Sequence, residues 1–172
     1  MILITRQSLR SLLSPAAACL ILATGCSKPQ PSTRSLIAAR YAQRDLALSS
    51  KDLAGVFADS TPDWKIVSVH GDPITLPIAE KALRSTFDVA TTISAHTDIT
   101  AIAPHESDAW VNTTRRVDID APTPRTGEMR HITMTNTFRT QWLKTNAGWK
   151  ESQTRTLTEG FTVAPTVVAP GP

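Results

Sequence analysis

Phe138-Arg139-Thr140-Gln141-Trp142-Leu143-Lys144-Thr145-Asn146-Ala147-Gly148-Trp149-Lys150 is the stretch whose reading decides the fold. β-Branched and aromatic residues flank Thr145-Asn146-Ala147, and Gly148 follows directly, which is the composition of two strands joined by a tight turn. Working outward, 130–144 and 148–157 are the two strands, and 92–102 and 109–119 upstream carry the same enrichment. Pro104-His105-Glu106-Ser107-Asp108 separates the earlier pair, and 121–128, with Pro122, Pro124 and Gly127, separates the middle one. Connections this short predict antiparallel neighbours. Alternation places Ile132, Met134, Asn136, Phe138 and Trp142 on one face of the third strand, and His131, Thr133, Thr135, Thr137 and Arg139 on the other.

Ahead of these strands the apolar period is helical. Leu36, Ile37, Tyr41, Leu46 and Leu48 predict a helix over 35–48 with Arg40, Arg44 and Asp45 on its wet face. Ser49 or Ser50 caps a second, shorter helix reaching Phe57, and Pro62 ends any helical run. Residues 64–69 alternate as a strand, and His70-Gly71-Asp72-Pro73 is turn chemistry. Pro77 suits the first turn of a third helix over 78–89, with Ile78, Ala82, Leu83 and Phe87 toward the core. Helices followed by a run of antiparallel strands imply an α+β domain, about three helices packed on a curved, mainly antiparallel sheet. Residues 161–172, with Pro165, Pro170 and Pro172, are expected to form a flexible tail.

A chain of 172 residues with 41% apolar content supports one core, so 35–160 is expected to be a single domain. Charged residues at 19% place it away from disordered chains, and no apolar run approaches the roughly 18 residues of a membrane-spanning helix. The formal charge is +3, but removing Arg6 and Arg10 with the N-terminal segment leaves 16 basic against 15 acidic side chains. No nucleic-acid partner is expected from that balance.

The first 26 residues have the plan of an export signal: Arg6 and Arg10, then a short apolar run from Leu12 to Leu22, then Ala23-Thr24-Gly25-Cys26. Small residues immediately before a cysteine resemble the lipobox of bacterial lipoproteins. The resemblance implies cleavage before Cys26, lipidation of its thiol, and, from Ser27 rather than aspartate, sorting to the periplasmic side of the outer membrane. Several acyl chains make a durable anchor. Lys28, Pro29 and Pro31 give 27–34 the character of a tether. Cys19 lies in the discarded run, so the mature domain would hold no disulfide.

Arg40-Tyr41, sixteen residues ahead of Phe57-Ala58-Asp59, together with the closing hairpin, resembles the nuclear transport factor 2-like superfamily over 35–157. That superfamily is a cone-shaped fold that includes ketosteroid isomerases, scytalone dehydratase and polyketide cyclases. In ketosteroid isomerases a tyrosine, an aspartate base and a protonated acid converge on an apolar pocket. Tyr41 stands at the place of the tyrosine. Ungapped counting from Asp59 puts Lys65 at the place of the base, with Asp63 or Asp72 reaching it only on realignment, and Asn136 replaces the strand acid. An amide donates a hydrogen bond but is no tuned acid.

Tyr41, Met134, Asn136, Phe138 and Trp142 are therefore the expected pocket residues, and Tyr41, Asp63 and Asp72 the catalytic candidates. Asp59 is expected as a solvated helix-end carboxylate, and Arg115-Arg116 as a solvated strand edge balanced by Asp118 and Asp120. His70, His96, His105 and His131 share no metal-ligand spacing, and no glycine-rich phosphate loop, dinucleotide fingerprint or Gly-x-Ser-x-Gly elbow occurs, so no metal or cofactor is expected. The favoured function is a non-catalytic binding domain for a small apolar molecule or a protein partner, with a homodimer through the outer sheet face as one arrangement. The alternatives are an isomerase, dehydratase or cyclase using Tyr41 and Asn136 with a nearby aspartate, and a structural envelope protein with a filled cavity.

Overall fold

The computed structural model describes residues 31–165. The export segment, Cys26, the tether as far as residue 30 and the tail from residue 166 lie outside the described residues. Helix α1 (Thr33–Ser49) opens on Ser32, whose hydroxyl accepts from the Ser35 amide at 3.1 Å. Its buried face is Ile37, Tyr41, Arg44, Asp45 and Leu48, a helical stripe. Arg44 and Asp45 thus face inward rather than occupying the wet face that their charge suggests. Lys51, at φ 57°, turns the chain into α2 (Leu53–Val56), capped by Asp52 instead of a serine.

Strand β1 (Ser60–Val67) starts earlier than the alternation of 64–69 indicates and includes the exposed Pro62. Its parallel pairing to the last strand shifts register between Ser60 and Lys65, so Pro62 sits where the ladder is already irregular and its missing N–H costs little. The three-residue β2 (Pro73–Thr75) is too short to leave a periodic signal. It pairs antiparallel with β1 and leads into α3 (Leu76–Val89), with proline in the first turn.

Four long strands follow, β3 (Thr92–Pro104), β4 (Asp108–Pro122), β5 (Met129–Thr145) and β6 (Gly148–Pro165). The sheet order is β2-β1-β6-β5-β4-β3, with β1 and β6 parallel and every other neighbouring pair antiparallel. Bulges between Ile99 and Ala101, Thr137 and Phe138, and Gln141 and Trp142 interrupt the long ladders. Such bulges add bend and twist, which lets the sheet curve around the helices. Asn146-Ala147 makes the β5–β6 turn, and Gly148 takes the positive φ of 99° that a side chain would resist. Residues 161–165, expected in the tail, extend β6: Phe161 pairs with Met134 and Val163 with Ile132. The β-branched Thr162 and Val163 favour this pairing.

Two apolar clusters hold the helices on the sheet. One joins Ala47, Leu48, Val56, Phe87, Ala90, Ile93, Ile119 and Ala121. The other joins Ile37, Tyr41, Ala109, Val111, Trp142 and Trp149. Within the second, the Tyr41 and Trp142 rings meet edge to face at 5.4 Å, and the Trp142 indole N–H donates to the Tyr41 hydroxyl at 3.0 Å. Trp142 is fully buried, so Trp142→Ala is expected to lower stability by about 3–5 kcal/mol. Tyr41→Phe, which leaves that indole N–H unpaired, should cost about 1–3 kcal/mol in urea denaturation. A Tyr41→Phe variant as stable as the parent would show that this hydrogen bond contributes nothing.

Candidate functional site

Strand β4 reads Val111, Thr113, Arg115, Val117, Ile119 along its inward face, passing from one apolar cluster to the other through a polar step. Helix α1 repeats the pattern with Tyr41, Arg44, Asp45 and Leu48, and β5 with Trp142, Thr140, Phe138, Asn136 and Met134. Where these polar steps meet, the chain forms a half-open cavity of about 340 Å³. Leu48, Val56, Leu83, Ile93, Val117 and Ile119 contribute to its apolar walls. Arg44, Arg115, Glu151, Thr113, Asn136 and Thr154 form its polar part.

Glu151 organises that part. It is 1% exposed and ion-paired with Arg44, itself 9% exposed. The Trp64 indole N–H donates to Glu151 Oε1 at 2.9 Å, and the Thr154 hydroxyl donates to the same oxygen. The Thr140 and Thr154 hydroxyls lie 3.2 Å apart, continuing the network onto β5. Burial alone would push the Glu151 carboxyl up, but Arg44 and the hydrogen bonds from Thr154 and Trp64 hold it below the ordinary carboxylate value. Burial is the largest single influence on Arg44 and lowers its pKa, but the charge and hydrogen bond of Glu151 together with Tyr41 and Asp59 outweigh it and leave the guanidinium raised. An ionised Glu151 paired in this way is a weak proton acceptor.

Arg115 is arranged differently. Its Nε donates to the Thr97 hydroxyl at 3.0 Å, which donates onward to Asp45 at 2.8 Å, and its guanidinium lies 5.5 Å from the centre of the Phe138 ring. Burial and the like charge of Arg44 push its pKa down. The expectation of a solvated Arg115-Arg116 edge therefore holds for one residue only. Alternation turns Arg116 outward to pair with Asp118 at 2.8 Å and turns Arg115 inward.

Of the five expected pocket residues, Met134, Asn136 and Phe138 line the cavity. Tyr41 and Trp142 do not; their rings are spent on each other in the second apolar cluster. Burial, then Glu151, pushes the Tyr41 hydroxyl up, so it stays protonated. Asp63 and Asp72 are exposed and absent from the lining. Asp59, expected to be solvated, is buried between Arg40 at 3.1 Å and Lys150 at 3.7 Å, also away from the cavity. His131 sits between Asp120 at 2.8 Å and Asp118 at 3.4 Å, and Asp118 is drawn down to about 2, chiefly by its hydrogen bond from Arg116. No cluster of three or more His, Cys, Asp or Glu suited to a metal ion occurs among the described residues. Arg44, Arg115, Thr113 and Glu151 are the site residues that charge-based reading overlooks, and the alternation of β4 is the signal that locates two of them.

No protein-family model and no curated protein matches the chain. Solved structures do. A scytalone dehydratase-like protein from Novosphingobium aromaticivorans superposes with a TM-score of 0.64 at 13% identity, over 78% of this chain and 88% of that one. A type 2 hexachlorocyclohexane dehydrochlorinase (LinA) gives 0.62 at 9% identity, over 81% and 93%. The chain has the nuclear transport factor 2-like fold. A conserved protein from Planctomyces limnophilus shares it too, with a TM-score of 0.61 at 17% identity over 77% and 97%. At these identities the likeness concerns architecture, and the lining of the cone is this chain's own.

Glu151→Gln is expected to destabilise the nuclear transport factor 2-like domain by about 3–5 kcal/mol, because it strands the buried Arg44 charge. The pair replacement Arg44→Met with Glu151→Leu should cost less than that single change. Equal and additive losses would show the two groups to be uncoupled. Since the Glu151 pKa is depressed below the ordinary 4.5, its contribution is complete above that pH. It is lost as pH falls toward the folded-state value, so the parent should lose stability on acidification below about 4.5 and Glu151→Gln should lose less.

Proposed function

We propose that the chain is a lipoprotein anchored through Cys26 on the periplasmic side of the outer membrane, whose domain binds a small apolar molecule without transforming it. The observation that supports binding is the cavity of about 340 Å³ with aliphatic and aromatic walls and a few convergent polar groups. Ligand pockets run from about 300 to 1,000 Å³ with this division of chemistry. A structural envelope protein would have used the same residues to fill the cone.

The lining argues against proton-transfer catalysis. Among the described residues Glu151 is the one carboxylate of the lining, held ionised by Arg44, and no histidine or lysine joins it. An isomerase, dehydratase or cyclase needs a base within hydrogen-bond reach of the bound molecule, and Asp59, Asp63 and Asp72 all lie outside the lining. Anchoring is supported by Arg6, Arg10, the apolar run and Ala23-Thr24-Gly25-Cys26 in the order that export and lipidation require.

Native mass spectrometry of the protein purified from its own envelope should show a small organic molecule released on denaturation. Met134→Trp, which projects a larger ring into the cavity, should yield the bare protein with its fold intact. A bare parent protein, or turnover of the released molecule, would contradict the binding reading. Cys26→Ser should lose the lipid-sized mass increment and leave the membrane fraction; retention of both would contradict the anchor.

A further inference from the structure

Arg115 is the group the protein leaves incomplete. Among the described residues it belongs to no ion pair, although Arg40, Arg44, Arg116 and Arg130 each have a carboxylate within 4.0 Å. Only its Nε is engaged, through the Thr97 hydroxyl that also serves Asp45. Its Nη nitrogens, donors in a planar fork suited to two oxygens, have no hydrogen-bond partner among the described residues. Yet the residue lines the cavity, where the like charge of Arg44 acts on it more strongly than the attraction of Glu151 or of Asp45, the latter reached only through Thr97. A guanidinium placed against apolar walls without a carboxylate in direct contact is a costly arrangement unless something arrives to complete it.

The surroundings supply the rest of an acceptor-seeking site. Asn136 stands directly opposite Arg115 in the β4–β5 register, and Phe138 opposite Thr113, so the four side chains share one inward patch of sheet. Thr113 is 2% exposed, and its hydroxyl has no hydrogen-bond partner. All four line the cavity. Rotation of the Thr113 side chain would turn this unpartnered hydroxyl, beside a guanidinium, an amide and an aromatic ring, toward a polar group of a ligand. Beyond this patch the walls are aliphatic, provided by Val117, Ile119, Ile93, Leu83 and Leu48.

We infer that the ligand is an organic monocarboxylate, its carboxylate seated on the Arg115 fork, the Asn136 amide and the Thr113 hydroxyl, and its apolar body lying against the aliphatic walls. This rests on the binding reading and narrows it from any small apolar molecule to an acidic one. Arg44 and Glu151 neutralise each other next to the seat, and Asp45 reaches Arg115 only through Thr97, so the added negative charge meets a guanidinium that no carboxylate touches directly. Thr97 and Phe138 hold the guanidinium in place before the ligand enters, which leaves little side-chain freedom to lose on binding.

The test is equilibrium dialysis of the full chain in lipid nanodiscs, with empty nanodiscs subtracted, using 2-naphthoate and its neutral isostere 2-naphthamide as probes. The parent is expected to bind 2-naphthoate about tenfold or more tightly than 2-naphthamide, because hydrogen bonds to a charged group discriminate strongly. Arg115→Gln should remove that preference while retaining 2-naphthamide binding. Thr113→Val, which removes a hydroxyl that bonds nothing in the protein, should weaken 2-naphthoate several-fold with no loss of urea stability; this variant decides the matter even if Arg115→Gln fails to fold. Equal affinities for the two probes in the parent, or undiminished 2-naphthoate binding in Thr113→Val, would overturn the monocarboxylate seat while leaving an apolar pocket standing. Binding of neither probe would overturn the pocket reading as well.

Discussion

A guanidinium and a carboxylate, Arg44 and Glu151, face each other deep between sheet and helices, and the remainder of the interior is arranged around that fact. Taking both charges out of water is expensive, so the pair is tolerable only if the remaining polar capacity is met. Trp64, from the parallel strand β1, and Thr154, from β6, meet it on one carboxylate oxygen. Those contacts bind the neighbouring strands β1 and β6 to α1. The pair also divides the core, since neither apolar cluster can extend across it. The space left on one side of this polar belt is the cavity.

Charge outside the belt is handled differently. Arg116, Asp118, Asp120 and His131 lie along the outward face of β4 and β5 as a partly solvated ladder, where water and salt screen each contact. Arg115, one residue from Arg116, has no such relief. The same two-residue alternation that makes the sheet thus separates a surface cation from one that lines the cavity, and with it separates solubility from recognition.

Much of the architecture was legible because it rests on strong periodic signals. The hairpin around Asn146-Ala147-Gly148, the helical stripe of Ile37, Tyr41 and Leu48, and the β-branched runs of β3, β4 and β5 each point to one element. Strand ends were less so: Thr162 and Val163 pair with β5 inside a proline-containing segment, and β2 is too short to show a period. The site was half legible. Met134, Asn136 and Phe138 followed from alternation, but Arg44, Asp45 and Arg115 were assigned to water because charge is usually exposed, and only tertiary pairing reverses that default. Tyr41 illustrates the opposite error. Its spacing matched a catalytic tyrosine, whereas the adjoining Trp142 ring makes it a packing residue.

Because this architecture serves proteins of different chemistry, including one named a dehydrochlorinase and one likened to a dehydratase, the function has to be sought in the lining of the cone. Here the lining is an apolar chamber closed on one side by an ionised, paired carboxylate. That ionisation is the central claim, because a protonated Glu151 could not hold Arg44 and would itself be an acid available for catalysis. Carbon-13 NMR of the side-chain carboxyl groups through an acid titration measures it directly. The Glu151 resonance is expected to remain that of a carboxylate as the pH falls through 4.5, the ordinary glutamate value. A Glu151 carboxyl that titrates at or above that pH in the folded protein would contradict the account.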